Sequence, residues 1–501
     1  MALQTRNSVL AIKQESTEGT PVSPTAAGDY VALQEGFTME PAFAELDNAE
    51  LTGSIANAKT VLGIEEPSAS FSHYFRASGV EGQSPNYGPL LENAFGAETE
   101  RSTERDTIAA STVSVIKVDT GEGSEFQRGD ALLVKKASGV GYEIRNALSI
   151  ATDDITLAQD LQDAPGVGVN LGLNVLWSPQ NSGHPTHSLW LYRGNNAAGA
   201  VEMMAGSRVT EVSIDVTAGE FVNASYSVEG NEYFYDPVEI TATDVAFDFN
   251  DGSARAASIT AKMYKDPYEV ASALQTAMDA LSGDTITVAY SDSTGKYTAT
   301  SDGVTFELLP ATGPNTANEG WSTLGFGTAD LTGATTYEAA SALDKSSPQT
   351  ASFDAADPLV AKSNEVLLGP DAQEIVCFEA SSMTITLSNT KADILSVCSD
   401  SGKSGSVFSE REATIEITAL LEDHQAEEFK NFRSGDNMLF TYNLGEKSGG
   451  NWVAGKCMNV HSPTCTISSF SLGDSDGLVT LEMTLTTYTS SGLGELYFNQ
   501  L

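Results

Sequence analysis

Apolar and polar residues alternate along residues 413–421. Ala413, Ile415, Ile417, Ala419 and Leu421 fall on one parity, Thr414, Glu416, Thr418 and Leu420 on the other. A period of two predicts a β-strand with one apolar and one mostly polar face. The period then lengthens: Ala426, Phe429 and Phe432 recur at helical spacing, Asp423 is placed to cap the helix start, and Gly435 reads as its stop. Strands are expected next at 438–442 and 452–460. A hairpin closes the unit, with arms 464–472 and 478–488 around Gly473-Asp474-Ser475-Asp476-Gly477. The expected product is a small antiparallel sheet with one helix on its apolar face. Open sheet edges and one polar face suit such a unit to building a wall rather than enclosing a pocket.

The same order of patterns occurs in the first half. Ala69, Phe71, His73 and Phe75 alternate with Ser70, Ser72, Tyr74 and Arg76. A helix follows, with Pro89 in its first turn, Leu90, Leu91, Ala94 and Phe95 as its face and Gly96 as its stop. A hairpin at 209–216 and 221–228 comes later. Strand, helix and hairpin in one order twice predict a duplicated unit.

Two stretches differ in texture. Residues 103–176 carry short strand patterns at 113–118, 131–135, 142–144 and 154–157 between Gly-containing turns, which predicts a small β-barrel inserted into the first unit. Residues 237–347 hold the strongest helix signal: Asp266 as cap, Pro267 at the first position, Glu269 three after the cap, the face Val270, Ala273, Leu274, Ala277, Met278, Leu281, and Gly283 as the end. Strands at 285–290, 297–301 and 305–309 follow, giving an α+β insert. The expected class is therefore mainly β (α+β). The expected divisions are a first sheet-and-helix unit over 1–102 and 177–236, the barrel insert at 103–176, the α+β insert at 237–347 and the second unit at 348–501.

Composition narrows the function. With 68 acidic against 26 basic residues the net charge is −42, which excludes binding nucleic acid by phosphate neutralisation. Such acidity fits solubility, or a surface that stays near nucleic acid without adhering to it. No run of eighteen apolar residues predicts a membrane span, and the N-terminus lacks a secretory layout, so cytosolic synthesis is expected. The cysteines, Cys377, Cys398, Cys457 and Cys465, form no C-x-x-C pair and predict free thiols.

Candidate chemistry dissolves on context. Gly473-Asp474-Ser475-Asp476-Gly477 matches G-x-S-x-G, but both flanks read as strands and no histidine follows His461. Gly402-Lys403-Ser404 lacks the upstream glycine of a phosphate loop, since Val397 holds that place. His184 and His187 bracket Pro185, which argues against a helical metal site. Asp248, Asn250 and Asp251 miss calcium-loop spacing because Gly252 comes too early. No catalytic constellation, metal or cofactor is expected.

Three segments carry a resemblance: Leu10-Ala11-Ile12-Lys13-Gln14-Glu15-Ser16-Thr17-Glu18-Gly19-Thr20-Pro21; Gly79-Val80-Glu81-Gly82-Gln83-Ser84-Pro85 leading to Pro89-Leu90-Leu91-Glu92-Asn93-Ala94-Phe95-Gly96; and Gly206-Ser207-Arg208-Val209-Thr210-Glu211-Val212-Ser213 through Tyr226-Ser227-Val228-Glu229-Gly230. They resemble the tail tube (major tail) proteins of long-tailed, non-contractile bacteriophages (siphophages). Residues 238–347 resemble an accessory module of phage virion proteins, from Phe247-Asp248-Phe249 through Gly325-Phe326 to Leu331-Thr332-Gly333; the second unit matches in element order only. The resemblance implies a structural virion protein of the tail, made in the bacterial host cytoplasm. Its β-sandwich units would join between subunits into rings, and the rings would stack into a conduit for DNA ejection. Partners would be further copies of itself and other phage tail proteins, with DNA passing without specific binding and no membrane involved. Six units normally close such a ring, so two per chain imply a homotrimer with pseudo-sixfold symmetry. Glu211, Ser213, Asp215 and Glu482, on polar strand faces, become the candidate lumen-facing residues. The alternative is a baseplate or receptor-binding virion component whose inserts contact the host.

Overall fold

Strands form wherever the alternating pattern finds a partner for its apolar face, and the result is mainly β, with several sheets. The computed structural model describes residues 4–48, 59–135, 142–303, 305–370, 376–377, 379–399, 401–421, 426–475, 477–490 and 492–501. The first half opens with β1 (Val9–Gln14), β2 (Tyr30–Val31), β3 (Thr38–Glu40), β4 (Phe43–Leu46), β5 (Val61–Glu65) and β6 (Ser68–Tyr74). Helix α1 (Gly88–Phe95) follows. Its stop is Gly96 at φ +105°, where a side chain would be strained. Its Leu90, Leu91, Ala94 and Phe95 are buried in the largest core.

After β7 (Gly96–Arg101) the chain enters the first insert. Here β8 (Val115–Lys117), β9 (Ala131–Lys135), β10 (Tyr142–Ala151) and β11 (Asp154–Leu157) pair in the order β8-β11-β10-β9 around Ile116, Leu132, Val134, Ile155 and Leu157. No pairing joins β8 to β9 among the described residues, so these strands form an open four-stranded sheet where a small β-barrel was expected. The chain then returns through β12 (Asn174–Pro179), β13 (His187–Arg193), β14 (Ala200–Thr217), β15 (Asn223–Glu229) and β16 (Glu232–Tyr235).

The second insert holds β17 (Val238–Ile240), β18 (Ala246–Asn250), β19 (Ala254–Ser258), β20 (Lys262–Tyr264), α2 (Pro267–Asp279), β21 (Ile286–Ser291), β22 (Lys296–Ser301), β23 (Phe306–Leu308), β24 (Leu331–Ala334) and β25 (Thr336–Glu338). Its core is its own, with Phe247, Phe249, Leu274, Tyr297, Trp321 and Phe326 buried together. Asp266 caps α2 by accepting from the Glu269 N–H. The helix ends at Asp279, short of the expected Gly283, and Leu281 is exposed.

The second half runs β26 (Glu365–Gly369), β27 (Val376–Cys377), β28 (Ala380–Leu395), β29 (Lys403–Leu420), α3 (Ala426–Ser434), β30 (Met438–Ser448), β31 (Asn451–Ser475), β32 (Leu478–Thr487) and β33 (Tyr497–Gln500). Two expected strands, 452–460 and 464–472, are one continuous strand, β31, that passes through Pro463 at a register shift. Gly435, at φ +67°, ends α3 as expected, its N–H donating to the Asn431 carbonyl; Asp423 lies outside the described residues.

The two halves share one pairing scheme. In the first, β1 pairs with β2 and β13, β13 with β14, β14 with β15 and β16, β15 with β6, and β6 with β3. In the second, β26 pairs with β27 and β30, β30 with β31, β31 with β32 and β33, β32 with β29, and β29 with β28. Irregularities match as well: one residue is bulged out at Thr210 in β14 and at Ser468 in β31.

Candidate functional site

The two sets meet at one junction. Residues 211–217 of β14 pair antiparallel with residues 388–382 of β28. This places β3-β6-β15-β14-β28-β29-β32-β31 side by side as eight antiparallel strands. One face of these strands is buried. Phe71, Val212, Ile214, Tyr226, Ile385, Leu387, Ile415, Ile417, Met483 and Leu485 belong to a single core that crosses the junction.

The opposite face carries hydroxyls and carboxylates. Following the register, one row reads Ser72, Ser225, Ser213, Thr386, Thr414, Thr486; the next reads Tyr74, Asn223, Asp215, Thr384, Glu416, Thr484. Glu211 lies between Ser227 and Ser388, and Glu482 between Thr418 and Ser471. Glu211, Ser213, Asp215 and Glu482 therefore share one face, as does Glu412 opposite Ser388. Glu211, Asp215, Glu412, Glu416 and Glu482 are exposed, and none takes part in an ion pair among the described residues. Where the eight strands run together, this face has no Lys or Arg. Short hydroxyl side chains keep it shallow: Thr384 donates to Asp215 Oδ1 across the junction at 2.9 Å, and Ser471 to Glu482 Oε2 at 3.4 Å. With a Debye length of about 8 Å at physiological salt, a polyanion approaching this face meets uncompensated like charge.

Behind the face, buried polar groups fix the geometry. Asn93 on α1 donates to the Pro185 and Ser207 carbonyls and to His187 Nδ1, and its Oδ1 accepts the Val209 N–H at 2.7 Å. Asn389 on β28 donates to the Ala94 and Val209 carbonyls, so it ties the helix of one half to a strand of the other. Arg208 reaches Ser406 Oγ and O at 2.7 Å each and Glu18 at 3.0 Å. Glu15 sits at the bend of β14, accepting from the Gly206 N–H, Ser188 and Thr186, and burial raises its pKa. Gly206 itself is at φ +63°, against Asn231. No pattern in the sequence marks Asn93, Arg208 or Asn389 as junction residues, since a lone polar residue near an apolar face has no period.

The candidate metal and catalytic residues have structural partners instead. His187 is buried, its pKa depressed to about 3 by desolvation and then by Arg208; His184 has Nδ1 2.9 Å from the Asn93 carbonyl and Nε2 3.1 Å from the Gln180 carbonyl, each an acceptor for a ring N–H. No group of three or more potential metal ligands occurs among the described residues. The serine of the G-x-S-x-G run ends β31 in a strand-to-strand turn. Cys457 and Cys465 are buried free thiols and Cys398 is exposed and free.

Two edges of the eight-stranded array are open. Among the described residues β3 pairs only with β6, and residues 466–475 of β31 pair only with β32.

No family model matches the chain, and no curated protein matches it. Several solved structures share local similarity, and two of them are as follows. One is a chain titled "Virion of native gene transfer agent (GTA) particle", 16% identical with a TM-score of 0.19, covering 25% of this chain and 92% of that chain. The other is titled "Tail of empty GTA particle computed with helical refinement, C6 symmetry", 15% identical with a TM-score of 0.20, covering 25% and 91%. Likeness at this level carries no conclusion about this chain.

Proposed function

We propose that the protein is a structural component of a phage tail that closes into rings of three chains, and that stacked rings form the tail tube through which DNA leaves. The observation that supports this reading is the repeated pairing scheme with one junction made and its counterpart open. Superposing the registers at the shared bulges makes Ser471, Leu472 and Gly473 the counterparts of Ser213, Ile214 and Asp215. The β3 residues Thr38, Met39 and Glu40 correspond to Thr384, Ile385 and Thr386 of β28, through their pairing to β6 and β29. The open junction would therefore set Ser471 opposite Glu40, Leu472 opposite Met39 and Gly473 opposite Thr38 of the next chain. Exposure agrees. Ile214 is 1% exposed, whereas its counterpart Leu472 is 59% exposed, as an apolar residue awaiting a neighbour is.

On this reading each chain contributes two units to a pseudo-sixfold ring, a heterologous interface that closes. The acidic face, with Glu211, Ser213, Asp215 and Glu482, lines the lumen and repels DNA phosphates. The domains are then the first unit (1–102 and 177–236), the two inserts (103–176 and 237–347) and the second unit (348–501), with the inserts outside the tube. The protein acts with other tail proteins in the virion and needs no cofactor or catalysis. Averaged cross-sections of the assembled particle by electron microscopy test this: three chains with approximate sixfold symmetry are expected. Isolated globular trimers would favour a baseplate or receptor-binding role, and six whole chains around the axis would end the duplication argument.

A further inference from the structure

The turn end of the eight-stranded array is covered in one half of the chain and bare in the other. In the first half, the segment leading into β26 splices into the strand ends. Leu359 donates to the Phe75 carbonyl and accepts from the Val222 N–H, both at 2.9 Å, Val360 bridges Phe221, and Ala361 exchanges hydrogen bonds with Glu220 and Gly219. Phe75 and Val222 are fully buried. The register makes Leu421, Leu478 and Val479 the counterparts of Phe75, Phe221 and Val222. One hydrogen bond repeats: Leu421 N–H donates to the Val479 carbonyl at 3.0 Å, as Phe75 N–H does to Val222 at 2.8 Å. Yet Leu421 and Val479 are 40% and 50% exposed, and among the described residues no leader segment pairs with them.

The leader's own counterpart is the stretch before β1. Ile12 and Leu368 are equivalent, because each faces the same position of a hairpin whose register shift also repeats. Counting back, Gln4, Thr5 and Arg6 are equivalent to Val360, Ala361 and Lys362; Leu3, the residue that the count aligns with Leu359, lies outside the described residues. Gln4 to Asn7 are exposed, and the Arg6–Glu35 pair, at 3.5 Å, joins two well-exposed side chains. Among the described residues, the site at Leu421 and Val479 and the segment from Gln4 thus both lack the contact that each one's counterpart makes.

We propose that the segment before β1 of one chain docks on the second unit of a neighbouring copy. Gln4 would pair with Leu478, and Leu421 and Val479 would be covered as Leu359 covers Phe75 and Val222. The exchange rests on the ring reading above. The occupant is a second copy because the covering segment before β26 sits at the β14–β28 junction made within the chain, whereas the equivalent junction, β31 to β3, is unmade within the chain among the described residues. Mechanically it ties each junction at the turn end, beyond the edge pairing of β31 and β3.

The test is a disulfide across the inferred bridge, since antiparallel partners lie within disulfide reach. Gln4→Cys and Leu478→Cys are combined in a Cys377→Ser, Cys398→Ser background, and the assembled protein is oxidised mildly. Non-reducing gels are expected to show covalent species of two and three chains that neither single variant gives. Normal rings that yield only monomer, or a link within one chain, overturn the docking while leaving the ring reading intact; failure of the unmodified protein to form rings defeats the ring reading itself. A second measurement removes residues 2–5. Hydrogen exchange at residues 478–480 of assembled rings should then accelerate at least tenfold, and unchanged protection would overturn the proposal.

Discussion

Leu472 offers a perturbation that separates assembly from folding. In the free chain it is 59% exposed at the open edge of β31, so Leu472→Asp removes little buried surface and should change chain stability by under about 0.5 kcal/mol. In a closed ring it would reach the burial of Ile214, its counterpart at the made junction, which is 1% exposed. Burying the remaining half or so of a leucine contributes about 1–2 kcal/mol. An aspartate there forfeits that and must also be desolvated without a cation, a further cost of at least a few kcal/mol. Each junction thus weakens by about 3–5 kcal/mol, more than a hundredfold, and a three-chain ring contains three such junctions. Sedimentation velocity at micromolar protein should show monomer for Leu472→Asp and rings for Leu472→Ile, with the same thermal unfolding for both. Ile214→Asp should do the reverse, destabilising the chain itself by about 3–5 kcal/mol. Rings formed by Leu472→Asp as readily as by the unmodified chain would refute the reasoning, because the edge would then not be an interface.

Other expectations follow from the same geometry. Reversing Glu211, Asp215 and Glu416 to Lys should leave rings intact but make tubes retain short duplex DNA at low salt and release it as salt rises; retention that is no greater than for the unmodified protein would remove these residues from the lumen. Replacing residues 243–339 by a short Gly/Ser linker should preserve ring formation, since that insert has its own core, and loss of rings by a still-folded deletion would place the module in the interface. Asn93→Ala strands the buried Val209 N–H together with two carbonyls and should lower stability by about 2–3 kcal/mol, read as an earlier denaturation midpoint; an unchanged midpoint would mean water replaces the amide. Asp130 is buried, and desolvation raises its pKa to about 6 against the opposing pull of Arg101 and its hydrogen bonds. A carboxyl with a raised folded pKa contributes stability at low pH that is lost as pH rises through about 6. Asp130→Asn should therefore gain in melting temperature relative to the unmodified chain between pH 5 and 7, and a constant difference across that range would contradict the assignment.

Local pattern determined much of this protein. The period-two runs at 69–75 and 413–421 became β6 and β29, Gly96 and Gly435 stop their helices at positive φ, and Asp266 caps α2, because such signals depend on neighbours within a few residues. The polar parity of Glu211, Ser213, Asp215 and Glu482 was likewise legible, since a strand alternates faces wherever it lies. Tertiary structure decided what is non-local. That 452–475 is one strand passing through Pro463 depends on partners that shift register there, and whether the first insert's strands close depends on the pairing of β8 and β9, which is not made among the described residues. Which strands lie beside which, and hence that Glu211, Asp215, Glu412, Glu416 and Glu482 share one face, follows from the pairing of β14 with β28, residues some 170 apart along the chain whose apolar sides find a common core only after both halves have formed. The open edges at β3 and β31 are a property of that arrangement as a whole: an unpaired strand and a paired one share the same alternation, and only the absence of a neighbour distinguishes them.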